Sequence, residues 1–362
     1  MRSEGSEKVI VGMSGGVDSA VAAYLLKDAG YDVIGITLRV WQADDGSEGR
    51  CCDIDDARSV CHKLGTPYYP INCTSDFKNH VIEPFINDYI CGLTPNPCVE
   101  CNRFVKWEKL LYYAGITGAK YIATGHYASV IKKSNGRYAL KKALHAEKDQ
   151  TYMLYKLTQE QLAATLMPLG DLSKSEVRQI AKDIGLTVAS KKDSQEVCFV
   201  TDGNYADYIS KHVPSFSCSE GNFADEYGNI LGRHKGIIHF TVGQRKGLGI
   251  ALGYPAYVKK ILPETNEVIL GDEDSLYSHE IICRNVNYMS ISGLNEKDKL
   301  SCNVKVRYRH SGQHAIIEST KGDLIKITFD EPVRAATPGQ SAVFYDDEGC
   351  VIGGGIIAEV LR

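Results

Sequence analysis

Two textures of hydrophobic spacing divide the chain. Up to about residue 200, short apolar β-branched runs alternate with stretches of helical spacing. KVIVG at 8–12 and YDVIGITLRV at 31–40 read as strands. Between them AVAAYLLKDAG carries helical apolar spacing and stops at Gly30, a C-terminal cap position. The same alternation predicts a helix over 53–64, a strand over 68–72, a helix over 77–89, a strand over 121–124 and a helix over 174–184. Strand, glycine loop, helix, strand is the opening of a parallel α/β sheet.

From about residue 205 glycines become frequent and short β-type runs follow one another: GIIHFTV, AYVKKIL, EVILG, then SCNVKVRYRH, HAIIES, LIKITF, SAVFY and CVIGGGIIAEVL. Turn signals such as Tyr227-Gly228-Asn229 and Asp347-Glu348-Gly349 separate them. The expected architecture is an α/β catalytic domain over 1–205, a small β-rich domain over 206–279 and a β-barrel over 280–362, the two β units being barrel-like.

Composition narrows the setting. In 362 residues, 43% are hydrophobic and 24% charged, enough for each domain to bury a core. No run approaches the roughly 18 apolar residues of a membrane span. The opening MRSEGSEKVIVG is too weakly apolar for a secretory leader, which predicts a cytoplasmic location. Twelve cysteines in such a compartment read as reactive thiols or metal ligands rather than a disulfide framework. The net charge of −4 excludes a protein that coats nucleic acid generally, but a local patch suffices for RNA. Residues 120–160 hold eight cations (Lys120, Lys132, Lys133, Arg137, Lys141, Lys142, Lys148, Lys156) against three carboxylates; this is either such a patch or a solvated face.

Gly12-Met13-Ser14-Gly15-Gly16-Val17-Asp18-Ser19 lies between the first strand and the first helix. Paired glycines let the backbone turn its N–H groups toward phosphate oxygens, and the helix adds its positive end. Ser14 and Ser19 can donate hydroxyl hydrogen bonds, and Asp18 can hold Mg²⁺ between phosphates. There is no GK[ST] ending and no GxGxxG spacing, so neither the Walker loop nor the dinucleotide loop is present. SGGVDS resembles instead the pyrophosphate loop of the ATP-pyrophosphatase superfamily, which binds ATP and adenylates its substrate. That resemblance puts the ligand at the carboxyl ends of the strands, with Leu38 and Gly125 flanking the adenosine.

Thr94-Pro95-Asn96-Pro97-Cys98-Val99-Glu100-Cys101-Asn102 holds the one CxxC of the chain. Its two prolines predict a fixed loop rather than helix interior. A CxxC fits redox, zinc or iron–sulfur chemistry, and a second thiol of note is Cys198 in KDSQEVCF. His126, His145, His239, His310 and His314 have no metal-like spacing.

GMSGGVDS, TPNPCVECN, ATGHY, KDQTYML, KDSQEVCF, FTVGQRKGLGI, VRYRHSG and ATPGQSAVFYD occur in that order from residue 12 to about 346. Together they resemble the tRNA-specific 2-thiouridylase family over nearly the whole chain. The resemblance implies ATP-dependent replacement of the C2 oxygen of a tRNA wobble uridine by sulfur. It makes Cys101 the nucleophile and Cys198 the persulfide carrier, with Lys191 and Lys192 as nearby basic residues and a Cys101–Cys198 disulfide formed as sulfur leaves. It assigns Asn96, Pro97 and Cys98 to the target base, and Lys148, Asp149, Gln150, Arg307 and Tyr308 to tRNA. It also implies a sulfur-donor protein and tRNAs for lysine, glutamine and glutamate. The family commonly carries aspartate where this chain has Cys98. Cys98, Cys101 and Cys198 could therefore hold a [4Fe–4S] cluster with one open iron, an alternative sulfide carrier. An amide-forming ligase would leave these thiols unexplained, and an RNA-binding protein with a regulatory nucleotide site would need neither thiol.

In SCNVKVRYRH a period of two places Lys305, Arg307 and Arg309 on one face and Val304, Val306 and Tyr308 on the other, a spacing suited to phosphate contacts or to an ordinary exposed strand. Gln244-Arg245-Lys246-Gly247 forms a second basic turn.

Overall fold

The computed structural model describes residues 6–41, 53–191, 197–200, 204–213 and 219–361. Five parallel strands build the first sheet in the order β3-β2-β1-β4-β7: β1 (Lys8–Gly12), β2 (Asp32–Arg39), β3 (Tyr68–Asn72), β4 (Tyr121–Ala123) and β7 (Thr165–Leu166). The hairpin β5 (Ala128–Lys132) and β6 (Tyr138–Lys142) stands apart from it. Alternate residues of β1 feed two cores: Ile10 joins one cluster with Leu110 and Trp107, Val9 and Val11 another with Ala20 and Val21 of the helix Val17–Asp28. A sheet covered on both faces explains why KVIVG and DVIGITLR are continuously apolar rather than alternating.

Of the segment expected to be a fixed loop, residues 94–96 are one, and from Pro97 onward it is a helix. Asn96 accepts a hydrogen bond from Cys98 N at 3.2 Å and caps the turn Pro97–Glu100, which continues as a wide π turn over Cys101–Lys106 and then as Trp107–Thr117. Pro97 sits at the first helical position, where its missing N–H would have no partner anyway, so the prolines start this helix instead of preventing it. The helix expected over 77–89 also begins earlier, at Thr74–Phe77, and runs through a π turn at Lys78–Ile82 into Glu83–Ile90.

The second sheet runs β10-β11-β8-β9: β8 (Gly221–Ala224), β9 (Ile230–His234), β10 (Tyr257–Leu262) and β11 (Glu267–Gly271). The last six strands close into a barrel, β12-β15-β14-β13-β16-β17, from β12 (Tyr277–Tyr288), β13 (Lys299–Lys305), β14 (Gln313–Ser319), β15 (Ile325–Arg334), β16 (Ser341–Tyr345) and β17 (Val351–Leu361). Ile281, Val304, Ile317, Ile327 and Phe344 fill it. The alternation read into VRYRH stops early: β13 ends at Lys305, and Val306–Arg309 form a bend and turn. Lys305 and Arg307 are half-buried there, so the expected row of three exposed cations does not form.

Several cations of the basic stretch 120–160 are taken up by partners within the protein. Lys133 pairs with Asp346 (3.1 Å) and Glu348 (2.9 Å) of the barrel, Lys156 with Glu100 (2.5 Å), and Lys120 with Glu7. Arg137 donates to the carbonyls of Met289 (2.9 Å) and Tyr288 (3.2 Å). The barrel answers with Asn287 Nδ2, which donates to Tyr155 O at 2.6 Å and Leu157 O at 3.2 Å. Tyr155 itself is fully buried against Gly354 of β17, where a Cβ would lie 2.7 Å from its ring. Gly354→Ala is expected to cost about 1–3 kcal/mol by overpacking this seam, lowering the denaturation midpoint of the whole chain in a urea titration.

Candidate functional site

The glycine loop is shaped by contacts that admit no side chain. Met13 N donates to Ile36 O (2.8 Å) and its carbonyl accepts from the buried Thr37 Oγ1 (2.7 Å), which fixes the chain as it leaves β1. Gly15 has φ +74°, and a Cβ there would run into the Asp53 carbonyl. Asp53 N donates to Ser14 O at 3.0 Å, so the two segments clasp each other. Ser19 Oγ accepts from Ser14 N (3.1 Å) and donates to Gly16 O (3.1 Å), closing the turn over the N-terminus of Val17–Asp28. A Cβ on Gly125 would stand 2.6 Å from both Asp18 C and Ser19 N. Gly125 therefore buttresses the loop from the end of β4.

Asp18, the acidic residue of the loop, accepts from Tyr127 OH (2.7 Å), and Lys174 Nζ lies 2.8 Å from each of its oxygens. Lys191 Nζ lies 2.7 Å from Asp53 and 2.5 Å from Asp56. That ammonium group holds the Asp53 carboxyl below its ordinary pKa. Leu38 is buried near the end of β2, and beyond it opens a cleft of about 410 Å³ between Arg39, Pro70 and Asn72 on the strand ends and Ile54 and Arg58 on the next helix. This cleft lies at the carboxyl ends of β2 and β3; the strand order reverses between β1 and β4, beside the glycine loop, and such switch points are where these sheets bind ligands.

Cys98 is exposed in the first turn after Asn96; Cys101 is 6% exposed and belongs to the core cluster against which Cys198 and Tyr308 also pack. Phe199, next to Cys198, meets Phe77 and Phe85 edge-on at centroid distances of 5.6 and 5.1 Å, so a segment nearly a hundred residues downstream of Cys101 returns to the core. Asn102 donates to Met153 O at 3.1 Å, while its buried Oδ1 has no partner among the described residues. Lys192–Glu196 lie outside the described residues.

The barrel reaches this region through the ATPGQ motif. Gln340 Nε2 donates to Thr94 O (2.8 Å) and Pro95 O (3.3 Å), and Thr94 N donates to Pro338 O (2.9 Å). A Cβ on Gly339, whose φ is +91°, would lie 2.7 Å from Thr94 N. The turn after β13 sets Tyr308 near Cys98 and Asp149, and burial raises its phenol pKa while lowering the ammonium pKa of Lys305. Asp149 is 5% exposed and accepts from Thr151 Oγ1 at 2.8 Å; Gln150 Oε1 accepts from Tyr127 N at 2.9 Å. These two side chains face inward and hold the loop's shape, leaving Lys148 half-buried at its edge.

Sequence reasoning gave no role to Tyr127, Lys174, Asp53 or Gln340. Tyr127 and Gln340 lie inside quoted motifs, ATGHY and ATPGQ, and could have been singled out there. Asp53 carries only a helix-cap signal and Lys174 none, since the partners that tie them to the loop lie 35 or more residues away.

Residues 7–202 match the family model described as a tRNA methyl transferase HUP domain, residues 206–272 its PRC-barrel domain, and residues 278–357 an aminomethyltransferase beta-barrel domain. Fold and site thus define a tRNA-modification protein of the HUP class with two appended β units. The chain is 53% identical to the tRNA-specific 2-thiouridylase MnmA of Lachnoclostridium phytofermentans over 97% of this chain and 99% of that one. Against the Clostridioides difficile protein of the same name it is 51% identical over 98% and 99%. The chain belongs to the tRNA-specific 2-thiouridylase family. Among solved structures, a U34-tRNA thiolase NcsA from Methanococcus maripaludis with its [4Fe-4S] cluster aligns at TM-score 0.36 and 21% identity, over 58% of this chain and 65% of that chain. That likeness is too slight to bear on the site. Among the described residues no helix is long and apolar enough to cross a membrane.

Gly125→Ala is expected to displace the loop and cut ATP turnover about a hundredfold, read as pyrophosphate release, with the circular dichroism spectrum unchanged. Gln340→Ala is expected to leave ATP affinity intact and to slow tRNA modification about tenfold by loosening the loop before Cys98.

Proposed function

We propose that this protein catalyses ATP-dependent thiolation of the C2 position of the wobble uridine in tRNA. The observation that carries the reading is identity of about half over 97–98% of the chain with relatives named tRNA-specific 2-thiouridylases. The phosphate-type loop and the thiols at Cys98, Cys101 and Cys198 support it, and favour sulfur transfer over the methyl transfer in the family models' descriptions. In this reading residues 1–205 are the catalytic unit and 206–279 and 280–362 grip the RNA, in the cytoplasm.

The donor set suits ATP: glycine backbone, the Ser14 hydroxyl and a helix N-terminus are all partners for an anion. Met13 and Val17 hold the loop in place as buried side chains, Gly12, Gly15, Gly16 and Asp18 shape it, and Leu38 and Gly125 bound the adenosine side. Mg²⁺ would arrive with the nucleotide and meet Asp18, competing with Lys174 for its oxygens.

A uridine C2 carbonyl is a poor electrophile whose oxygen leaves badly. Attack of that oxygen on the α-phosphorus expels pyrophosphate and makes it part of a leaving AMP. The terminal sulfur of a persulfide on Cys198, supplied by a sulfur-donor protein, attacks C2 and AMP departs. The Cys101 thiolate then attacks the Cys198 sulfur. The S–S bond to the base breaks, its electron pair stays on the new thiocarbonyl, and a Cys101–Cys198 disulfide remains for an external thiol to reduce. Asn96, Pro97 and Cys98 would meet the base, which leaves an unstacked anticodon loop at little cost. Lys148, Arg307 and Tyr308, with the loop shaped by Asp149 and Gln150, would contact the tRNA, with those for lysine, glutamine and glutamate as substrates.

A second route deserves the same test because this chain has a third thiol at Cys98. Cys98, Cys101 and Cys198 could hold a [4Fe–4S] cluster, which would carry sulfide at its open iron.

Cys101→Ala and Cys198→Ala are each expected to abolish 2-thiouridine, measured by mass spectrometry of digested tRNA, while tRNA binding stays near wild type; thiolation surviving in both would refute the catalytic assignment. Asp18→Ala should remove pyrophosphate release. A visible absorption shoulder in anaerobically purified protein, together with iron-dependent thiolation that Cys98→Ala abolishes, would select the cluster route over the persulfide route.

A further inference from the structure

We propose that Lys191 is a phosphate-holding residue of the nucleotide site, one that exchanges two carboxylate partners for the triphosphate of ATP. The inference rests on the ATP-dependent reading above and extends it to a residue outside the glycine loop.

The difficulty it resolves is electrostatic. A site for a polyanion is here bordered by three carboxylates: Asp18 in the loop, and Asp53 and Asp56 at the helix start that clasps it. Like charge at this range opposes nucleotide entry unless it is neutralised. Two lysines do so in different ways. Lys174 is 14% exposed and chelates Asp18, which Tyr127 also holds; this pair is a brace. Lys191 is 38% exposed, and its partners Asp53 and Asp56 are 46% and 35% exposed. Exposed ion pairs of this kind are weak and readily exchanged.

The backbone of Lys191 is anchored while its side chain reaches the loop. Arg178 donates to Ala189 O at 2.8 Å and to Lys191 O at 2.9 Å, and Lys191 N donates to Val188 O at 3.1 Å. From that fixed base Nζ comes to 3.4 Å from Gly15 O, at the glycine loop itself. A flexible four-carbon arm with three donors needs only a side-chain rotation to move from the carboxylates to phosphate oxygens. Neither carboxylate is stranded by the move. Asp53 still accepts from Asp56 N at 3.0 Å as a helix cap, and both lie at the surface where water replaces the ammonium.

Calorimetric binding of AMP, ADP and ATP to the full chain tests this. Lys191→Met is expected to weaken ATP about tenfold or more and AMP by less than about twofold, because the lost contact is to phosphates. Lys191→Arg should restore ATP binding to within about threefold, and Asp56→Asn, which frees the lysine from one competitor, should leave ATP binding unchanged or tighter. ATP affinity within about twofold of wild type in Lys191→Met overturns the proposal. So does an Asp56→Asn variant as weak as Lys191→Met, which would mean that the cluster only braces the loop. Thiolation assays separate this from the larger reading: Lys191-dependent ATP binding without any 2-thiouridine would defeat the thiolation reading and leave Lys191 standing.

Discussion

Backbone packed directly against backbone around the glycine loop is the constraint on which the rest of the catalytic domain depends. Gly15 lies on the Asp53 carbonyl and Gly125 on the peptide joining Asp18 to Ser19. Those contacts come from three separate stretches of chain: the loop itself, the segment before the helix Ile54–Leu64, and the end of β4. In the proposed function such a rigid cradle loses little entropy when a phosphate arrives. The same crowding forbids side chains at these positions. The site thus depends on residues that contribute nothing but absence of volume.

The second half of the chain is joined to the first by polar anchors rather than by a large apolar face alone. Asn287, Arg137, Gln340 and Tyr152 each send a donor across the seam to a main-chain carbonyl, Tyr152 OH reaching Ser341 O at 2.8 Å. Side chain-to-backbone bonds fix register without requiring a matching side chain on the partner, and each buried carbonyl they reach would be costly to leave unmet. In the proposed function this matters because the base and the nucleotide must meet at one point. A barrel that could slide would carry the RNA away from the loop at Thr94–Asn96.

The elements were legible wherever local spacing decides them. KVIVG, YYPIN and the capped helix after Asp53 sit where periodicity placed them, and Gly30 takes the left-handed φ of +91° that ends its helix. The difference at TPNPC has a local cause: proline breaks a helix interior but suits a first helical turn, and here the Asn96 cap decides for the turn. Charge was the least legible property. Lys133 meets Asp346 and Glu348, and Lys191 meets Asp53, across more than a hundred residues, so counting cations along the chain overstated what the surface offers. The motifs themselves were legible. How Tyr127, Lys174 and Gln340 hold those motifs together was not, because it arises only when distant segments pack.

The π turn at Cys101–Lys106 has a mechanical consequence. An α-helix advances about 100° per residue, and a turn closed five residues on rather than four carries one residue more than the α pattern allows. The end bearing Cys98 and Cys101 is therefore rotated relative to Trp107–Thr117, whose buried residues are locked into the core. Slipping that extra residue along the helix would re-aim both sulfur atoms like a key turning in a fixed barrel, without unpacking the tryptophan beneath.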